Sequence, residues 1–367
     1  MKTLKSAAHD KAICSFFALA LLIAGPVCSE TSLWRVSKDD AELFIGGTIH
    51  LLSTSDYPLP EAFDRVYRKA DKLVLEVDLA DFSGQEAQIA MMRRLQYVDG
   101  TTLRDELNAE TYAELQRFCQ HAGIPIESLQ NLKPPLVAIS LMMFELHRLG
   151  LAEAGVDHFF SAKAQADNKP VGALESLETQ ISALEQMGRG QENELILSTL
   201  REIEELPALL GELKSAWRSG DLDTLDELGI VAMRSDYPRL YQDLLVSRNN
   251  AWVPKIEAML RTPERELILV GVLHLAGQEG VLRQLCERGY VVEPYLSFPI
   301  NNDHEVAVTA PQNESAWRTM GCGHSADRGA VNSAPNVHEG LVIAPANESA
   351  STVEGTLARQ DAVNTSL

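Results

Sequence analysis

The sequence predicts an α/β (α+β) fold: a mixed β-sheet with flanking helices and a helical middle insertion. Three observations predict it. Short apolar strand patterns stand near both ends of the central region, "ELFIGG" at 42–47 and "ELILVG" at 266–271 among them. Amphipathic helix patterns lie between and beside them, and one strand segment occurs twice. At 367 residues and 45% hydrophobic, the chain can bury the core of one large domain or two small ones.

The elements follow in order. "LWRVS" at 33–37 and "ELFIGG" at 42–47 read as two strands joined by the polar turn "KDDA". "PEAFDRVYRKA" from Pro60 is a helix with proline in its first turn. "KLVLEVDL" from Lys72 is a strand. Helical periodicity follows at 84–96, 109–122 and 134–149, the last apolar enough for a central core helix. The strand "KPVGALE" at 169–175 leads into the helix "SLETQISALEQM". Acidic amphipathic helices fill 190–262 as a cap or subdomain. The second strand segment, the helix "EGVLRQLCERG" and the closing strand "YVVEPY" complete the domain, which spans 30–298.

The two ends differ in kind. Lys2, Lys5 and Lys11 precede the uncharged run "AICSFFALALLIAG", and "PVCSE" offers small residues for cleavage, so residues 1–29 read as a secretory signal peptide. The run is shorter than the roughly 20 residues a membrane span needs. The expected protein is exported, periplasmic or secreted, without stable membrane insertion after the leader is removed. Residues 299–367 turn to Asn, Ser, Ala, Gly and Pro without sustained periodicity, the composition of a disordered tail. With 52 acidic against 32 basic residues the net charge is −20, which excludes nucleic acid as a partner. Past the leader Cys119, Cys286 and Cys322 remain, without metal-ligand spacing. Cys119 and Cys286 are expected as buried free thiols, with one pair allowed in an oxidising compartment.

The chemistry centres on the repeat. "ELFIGGTIHLL" from Glu42 matches "ELILVGVLHLA" from Glu266 at five of eleven places. In each, a buried-strand pattern breaks at a glycine and a histidine follows three residues later, placing His50 and His274 just past strand ends. G-x-x-H occurs four times, also at 155–158 and 321–324, and only the strand context singles out these two. A lone apolar histidine is ordinarily a core residue, but burying two unpartnered imidazoles costs about 1–3 kcal/mol each. Neutral imidazole is the commonest metal ligand, and carboxylates complete such sites. Glu76 and Glu175, in or at the end of apolar strands, are the best donors, since an acid there must be paired or coordinated. Asp78 shares Glu76's sheet face if its strand runs that far. The alternative for these acids is helix capping or an arginine partner, and for Glu175 and Glu178 the helix dipole strengthens it.

The paired G-x-x-H segments, "LVLEVD", "GVD" at 155–157, "GALESLETQ" at 172–180, "SRNNAW" at 247–252 and "VGVLHLAGQEGV" together resemble the TraB/GumN family, related to the Tiki proteases. The resemblance spans roughly 30–296. It implies a fold similar to erythromycin esterase and ChaN proteins, built from two related halves around the two histidines. It also implies metal-dependent hydrolysis of peptide or protein substrates with a divalent ion, manganese or cobalt first and zinc next. Carried over, His50, His274 and Glu76 are the metal ligands, and Glu76, Glu175 and Arg248 are the catalytic residues. The alternative for Arg248 is an ion pair with Asp157 or a strand acid. Two other functions stay open: a non-catalytic accessory protein of envelope or exopolysaccharide assembly, and a metal-independent esterase.

Overall fold

The computed structural model describes residues 31–295, so the expected leader over 1–29, the tail over 299–367 and Cys322 lie outside the described residues. β1 (Leu33–Lys38) turns through Asp39 and Asp40 into β2 (Ala41–Thr48), and Asp39 takes the left-handed conformation, φ 54°, that so tight a turn needs. β3 (Leu51–Leu52), α1 (Glu61–Lys69) and β4 (Lys72–Leu75) follow. Next come α2 (Gln85–Leu95), α3 (Leu103–Glu106), α4 (Ala109–Ala122) and α5 (Pro134–Arg148). β5 (Glu153–Ala154), α6 (Val156–Asp167), β6 (Val171–Ala173) and α7 (Leu177–Gln186) return the chain to the sheet. α8 (Glu192–Ser219), α9 (Leu222–Gly229), α10 (Val231–Asp236) and α11 (Pro238–Tyr241) lead through one π-helical turn, Gln242–Val246, into α12 (Ser247–Met259). β7 (Glu266–Gly271), α13 (Val281–Glu287) and β8 (Val291–Pro294) close the domain.

The six-stranded sheet has the order β6-β4-β7-β2-β1-β8. β6, β4, β7 and β2 run parallel, while β1 is antiparallel to both its neighbours. This is the mixed sheet with flanking helices that the patterns predict. The parallel strands are apolar on both faces because helices cover both. Phe44, Leu73, Leu75 and Leu269 pack with Phe63 of α1 and Phe160 of α6. The alternate residues Ile45, Val74 and Ile268 pack with Trp252 of α12 and Leu282 of α13.

The helical insertion has a core of its own. Val137 and Leu141 of α5 meet Leu115 of α4 and Ile196 and Ile203 of α8. The run at 134–149, expected as a central core helix, is therefore the core of the insertion and not of the sheet, and its Met143 and Phe144 are exposed. α8 is about 42 Å long at 1.5 Å per residue, and its last turn ties the insertion to the sheet. Fully buried Trp217 donates Nε1–H to the Gly47 carbonyl at 2.8 Å, and its own carbonyl accepts from Ser32 N and Oγ.

Two local expectations are corrected. The strand from Lys72 ends at Leu75, because Asp78 turns to cap the short helical turn Leu79–Ser83 by accepting from Ala80 N. The strand alternation therefore does not carry through Glu76 to Asp78. Cys119 is a buried free thiol as expected, whereas Cys286 is disulfide-bonded.

Candidate functional site

Four parallel strands ending on one edge bring the predicted residues together. His50 follows β2, Glu76 follows β4, Glu175 follows β6 and His274 ends the short helical turn Val272–His274 after β7. In open α/β sheets this carboxyl edge is where ligands bind. β2 and β7 are adjacent, but Thr48 pairs with Gly271, one residue out of step with the sequence match of Gly47 to Gly271. The repeat marks two neighbouring strand ends whose histidines sit at different distances beyond the ladder.

His274 is 5% exposed. Its Nδ1 meets Asn249 Oδ1 at 2.6 Å, and Asn249 Nδ2 donates to the Glu279 carbonyl at 2.9 Å. Asn249 therefore presents its oxygen, His274 carries its proton on Nδ1, and Nε2 is an acceptor turned into the site. That acceptor receives Arg248 Nη1–H at 3.1 Å and lies 3.9 Å from Glu76 Oε1. Burial holds the imidazole down to about 3, and the Arg248 charge adds to this against the pull of Glu76.

His50 is the more open partner, with its side chain 64% exposed. Its Nδ1 meets Asp157 Oδ2 at 3.0 Å. Desolvation disfavours the imidazolium, but the Asp157 hydrogen bond and charge, helped by Glu76, raise it to about 9. Asp157 reaches His50 only because Gly155 starts α6. A Cβ there would lie 2.2 Å from the Ile49 carbonyl oxygen and 2.4 Å from His50 backbone atoms.

Glu76 accepts Gly271 N–H on Oε1 at 2.7 Å and Arg248 Nη2 on Oε2 at 2.6 Å. Burial alone would raise its pKa, but the neighbouring His274 and Arg248, then His50 and the Gly271 amide, hold it at about 2. Glu175, 7% exposed, accepts Arg248 Nη2 at 2.6 Å and Nε at 3.2 Å, and Trp252 Nε1 at 3.1 Å. Its backbone N–H donates to the Glu76 carbonyl at 2.8 Å, which extends the β4–β6 pairing and sets the two acids side by side. Arg248 is the strand-acid partner and Asp157 is not.

A cleft of about 380 Å³ opens beside this cluster, lined by Thr48, His50, Glu76, Asp157, His158 and Gln180 with Leu79 on its apolar side. Sequence reasoning missed three contributors. Asp157 and Asn249 hold the two imidazoles, and His158 lines the cleft as the histidine of a third G-x-x-H that strand context had set aside. The "GVD" and "SRNNAW" blocks hold the first two, but nothing local in them signals contacts made 107 and 25 residues away.

Three potential metal donors face one space. A Cβ built on Gly271 would stand 3.3 Å from Glu76 Oε1, 3.6 Å from His274 Cδ2 and 3.7 Å from His50 Nε2, so all three groups converge on the space that this glycine leaves open. Each imidazole is held at Nδ1 by an oxygen acceptor, the arrangement that aims Nε2 at a metal. The 3.9 Å between His274 Nε2 and Glu76 Oε1 lies within the span of two bonds of about 2.1–2.2 Å. Among the described residues no three such side chains are drawn into a closed ligand group, and the Arg248 guanidinium stands among the donors.

These charges fix the pH response of the metal-free chain. Glu76 is depressed below its unfolded value, so its contribution is present above about 4.5 and is lost as pH falls toward 2. His274 must stay neutral, so stability also falls as pH drops from 6.5 toward 3. His50 is raised, so its contribution is full below 6.5 and is lost as pH rises through 9. Melting temperature measured in chelator across pH 4–10 is expected to peak near 6.5; a plateau from 7 to 10 would contradict the His50–Asp157 pair.

A model of the TraB/PrgY/gumN family matches residues 32–294. No curated protein and no solved structure matches the chain.

Proposed function

The chain belongs to the TraB/PrgY/gumN family, and from that premise we propose that it is an exported, divalent-metal-dependent hydrolase acting on peptide or protein substrates. The convergence of His50 Nε2, His274 and Glu76 Oε1 on the space beside Gly271 supports this most. His50, His274 and Glu76 would hold the ion, manganese or cobalt first and zinc next. Such an ion supplies Lewis acidity and a water acidified toward neutral pH.

The chain's own residues do the rest. Asp157 and Asn249 fix the two imidazoles so that neither ring has to reorganise. Among the acids of the cluster, Glu76 and Asp157 line the cleft, so a proton released there passes to one of them. Glu175 and Arg248 act from behind Glu76: they fix its carboxylate and balance its charge. Leu79 and the neighbouring apolar wall exclude water from one side of the substrate.

Calorimetric titration of Mn²⁺, Co²⁺ and Zn²⁺ into the full chain tests the reading. Wild type is expected to bind and the His50→Ala, His274→Ala double variant to lose that binding; equal binding by both would end the proposal. A second reading, metal-independent ester hydrolysis, is favoured by one observation. His50, held by Asp157 and open to the cleft, has the geometry of an oriented acid–base imidazole. Under that reading ester turnover survives chelator and is lost in His50→Ala.

A further inference from the structure

Arg248 commits all five of its N–H groups. Nε and one Nη2 hydrogen go to Glu175, the other Nη2 hydrogen to Glu76 Oε2, and the two Nη1 hydrogens to His274 Nε2 and the Leu244 carbonyl. A guanidinium has no further donors, so none is left for a substrate oxyanion. Two of the five partners, Glu76 and His274, are the groups that the metal reading assigns to the ion. The other three bonds, two to Glu175 and one to the Leu244 carbonyl, involve no group assigned to the ion. The guanidinium also lies over the Trp252 ring, 4.7 Å from its centroid, and the same ring sits 4.4 Å from that of His274.

We infer that Arg248 is a resident counter-cation that occupies the metal's place in the ion-free protein and must give up His274 Nε2 before an ion can bind. The inference rests on the metal reading of the site and adds a residue that sets its affinity. Electrostatics supports it first. Three carboxylates, Glu76, Glu175 and Asp157, stand against one guanidinium and the His50 imidazole, so even with His50 protonated the cluster keeps one surplus negative charge that a divalent ion would answer. Lone-pair arithmetic supports it second. His274 has one acceptor nitrogen, and while it holds Arg248 Nη1–H that lone pair cannot also bind an ion. Geometry supports it third. The two bonds to Glu175 and the one to Glu76 let Arg248 stay docked when its bond to His274 breaks, so it needs only to shift and not to leave. Glu175 is then a positioning residue, the anchor toward which Arg248 withdraws.

The test is calorimetric titration of Mn²⁺ into the full chain as wild type and as Arg248→Gln, with Trp252 fluorescence followed in parallel. Arg248→Gln is expected to bind Mn²⁺ at least tenfold more tightly than wild type. Wild type is expected to change its tryptophan emission on binding, because Arg248 shifts across the Trp252 face. Binding by wild type with equal or weaker binding by the variant would overturn the inference and leave the metal reading standing. Binding by the variant alone would support it in its strongest form. No binding by either would overturn both. If Arg248→Gln does not fold with or without Mn²⁺, Arg248→Lys takes its place, since its three donors cannot fill five positions. Tighter binding by this variant is the result expected, and unchanged binding overturns the inference.

Discussion

Glu175→Ala is expected to lower the stability of the metal-free protein by about 3–5 kcal/mol, because three buried N–H donors lose their acceptor at roughly 1–3 kcal/mol each. At roughly 2–4 °C per kcal/mol for a domain of this size, the melting temperature should fall on the order of 10 °C. The side chain is 4% exposed and that of Arg248 14%, so the N–H groups that Glu175 leaves behind have little access to water. Two bonds from Arg248 and the one from Trp252 Nε1 disappear together. Glu178, three residues on, supplies the contrast. It pairs with Arg94 at 2.5 Å, a shorter contact, yet its side chain is 74% exposed. Glu178→Ala should cost only a few tenths of a kcal/mol, because exposed pairs gain little over hydration. Thermal melts of the two variants side by side check this; equal losses would mean that the Glu175–Arg248–Glu76 cluster is open to solvent.

The same two residues show what sequence can and cannot tell. Both are acids at the start of one helix pattern, and position alone gives both the same helix-dipole reading. What separates them is that β6 lies beside β4, which tucks Glu175 behind Glu76 and leaves Glu178 outside. Strand order is a non-local property and leaves no mark within the segment. The ends of β2 and β7 were legible because a strand buried on both faces must be a continuous apolar run, and a glycine and histidine interrupting it stand out. Glu76 was legible for the same reason. Asp157 and Asn249 sit on helices, where polar residues are ordinary and only the partner makes them special. The alternation overstates the strand from Lys72, because Val77 and Leu79 continue it past Leu75. Asp78 makes a local capping bond that the alternation does not reveal.

Gly155→Ala is expected to be the most damaging single-methyl change near the site, costing on the order of 3 kcal/mol and disturbing His50 from behind. The reason is not backbone conformation. Gly155 has φ −72° and ψ 178°, which any residue adopts. The obstacle is the neighbouring chain: the new Cβ would lie 2.2 Å from Ile49 O and 2.4 Å from His50 C and O, backbone atoms that cannot rotate aside. The start of α6 must then back away from the end of β2. That movement breaks Val156 N–H to Ile49 O at 3.2 Å and withdraws Asp157 from His50 Nδ1. The same substitution at Gly211 predicts the opposite sign. Gly211 lies inside α8 with nothing within 4 Å of its added Cβ. Alanine there should stabilise by roughly 0.5–1 kcal/mol through helix propensity. Two glycine-to-alanine variants with opposite shifts in melting temperature, only the first reducing Mn²⁺ affinity, would show that Gly155 is kept for the approach of α6 to His50. A Gly155→Ala protein that melts and binds like wild type would show that α6 does not approach the β2 end so closely.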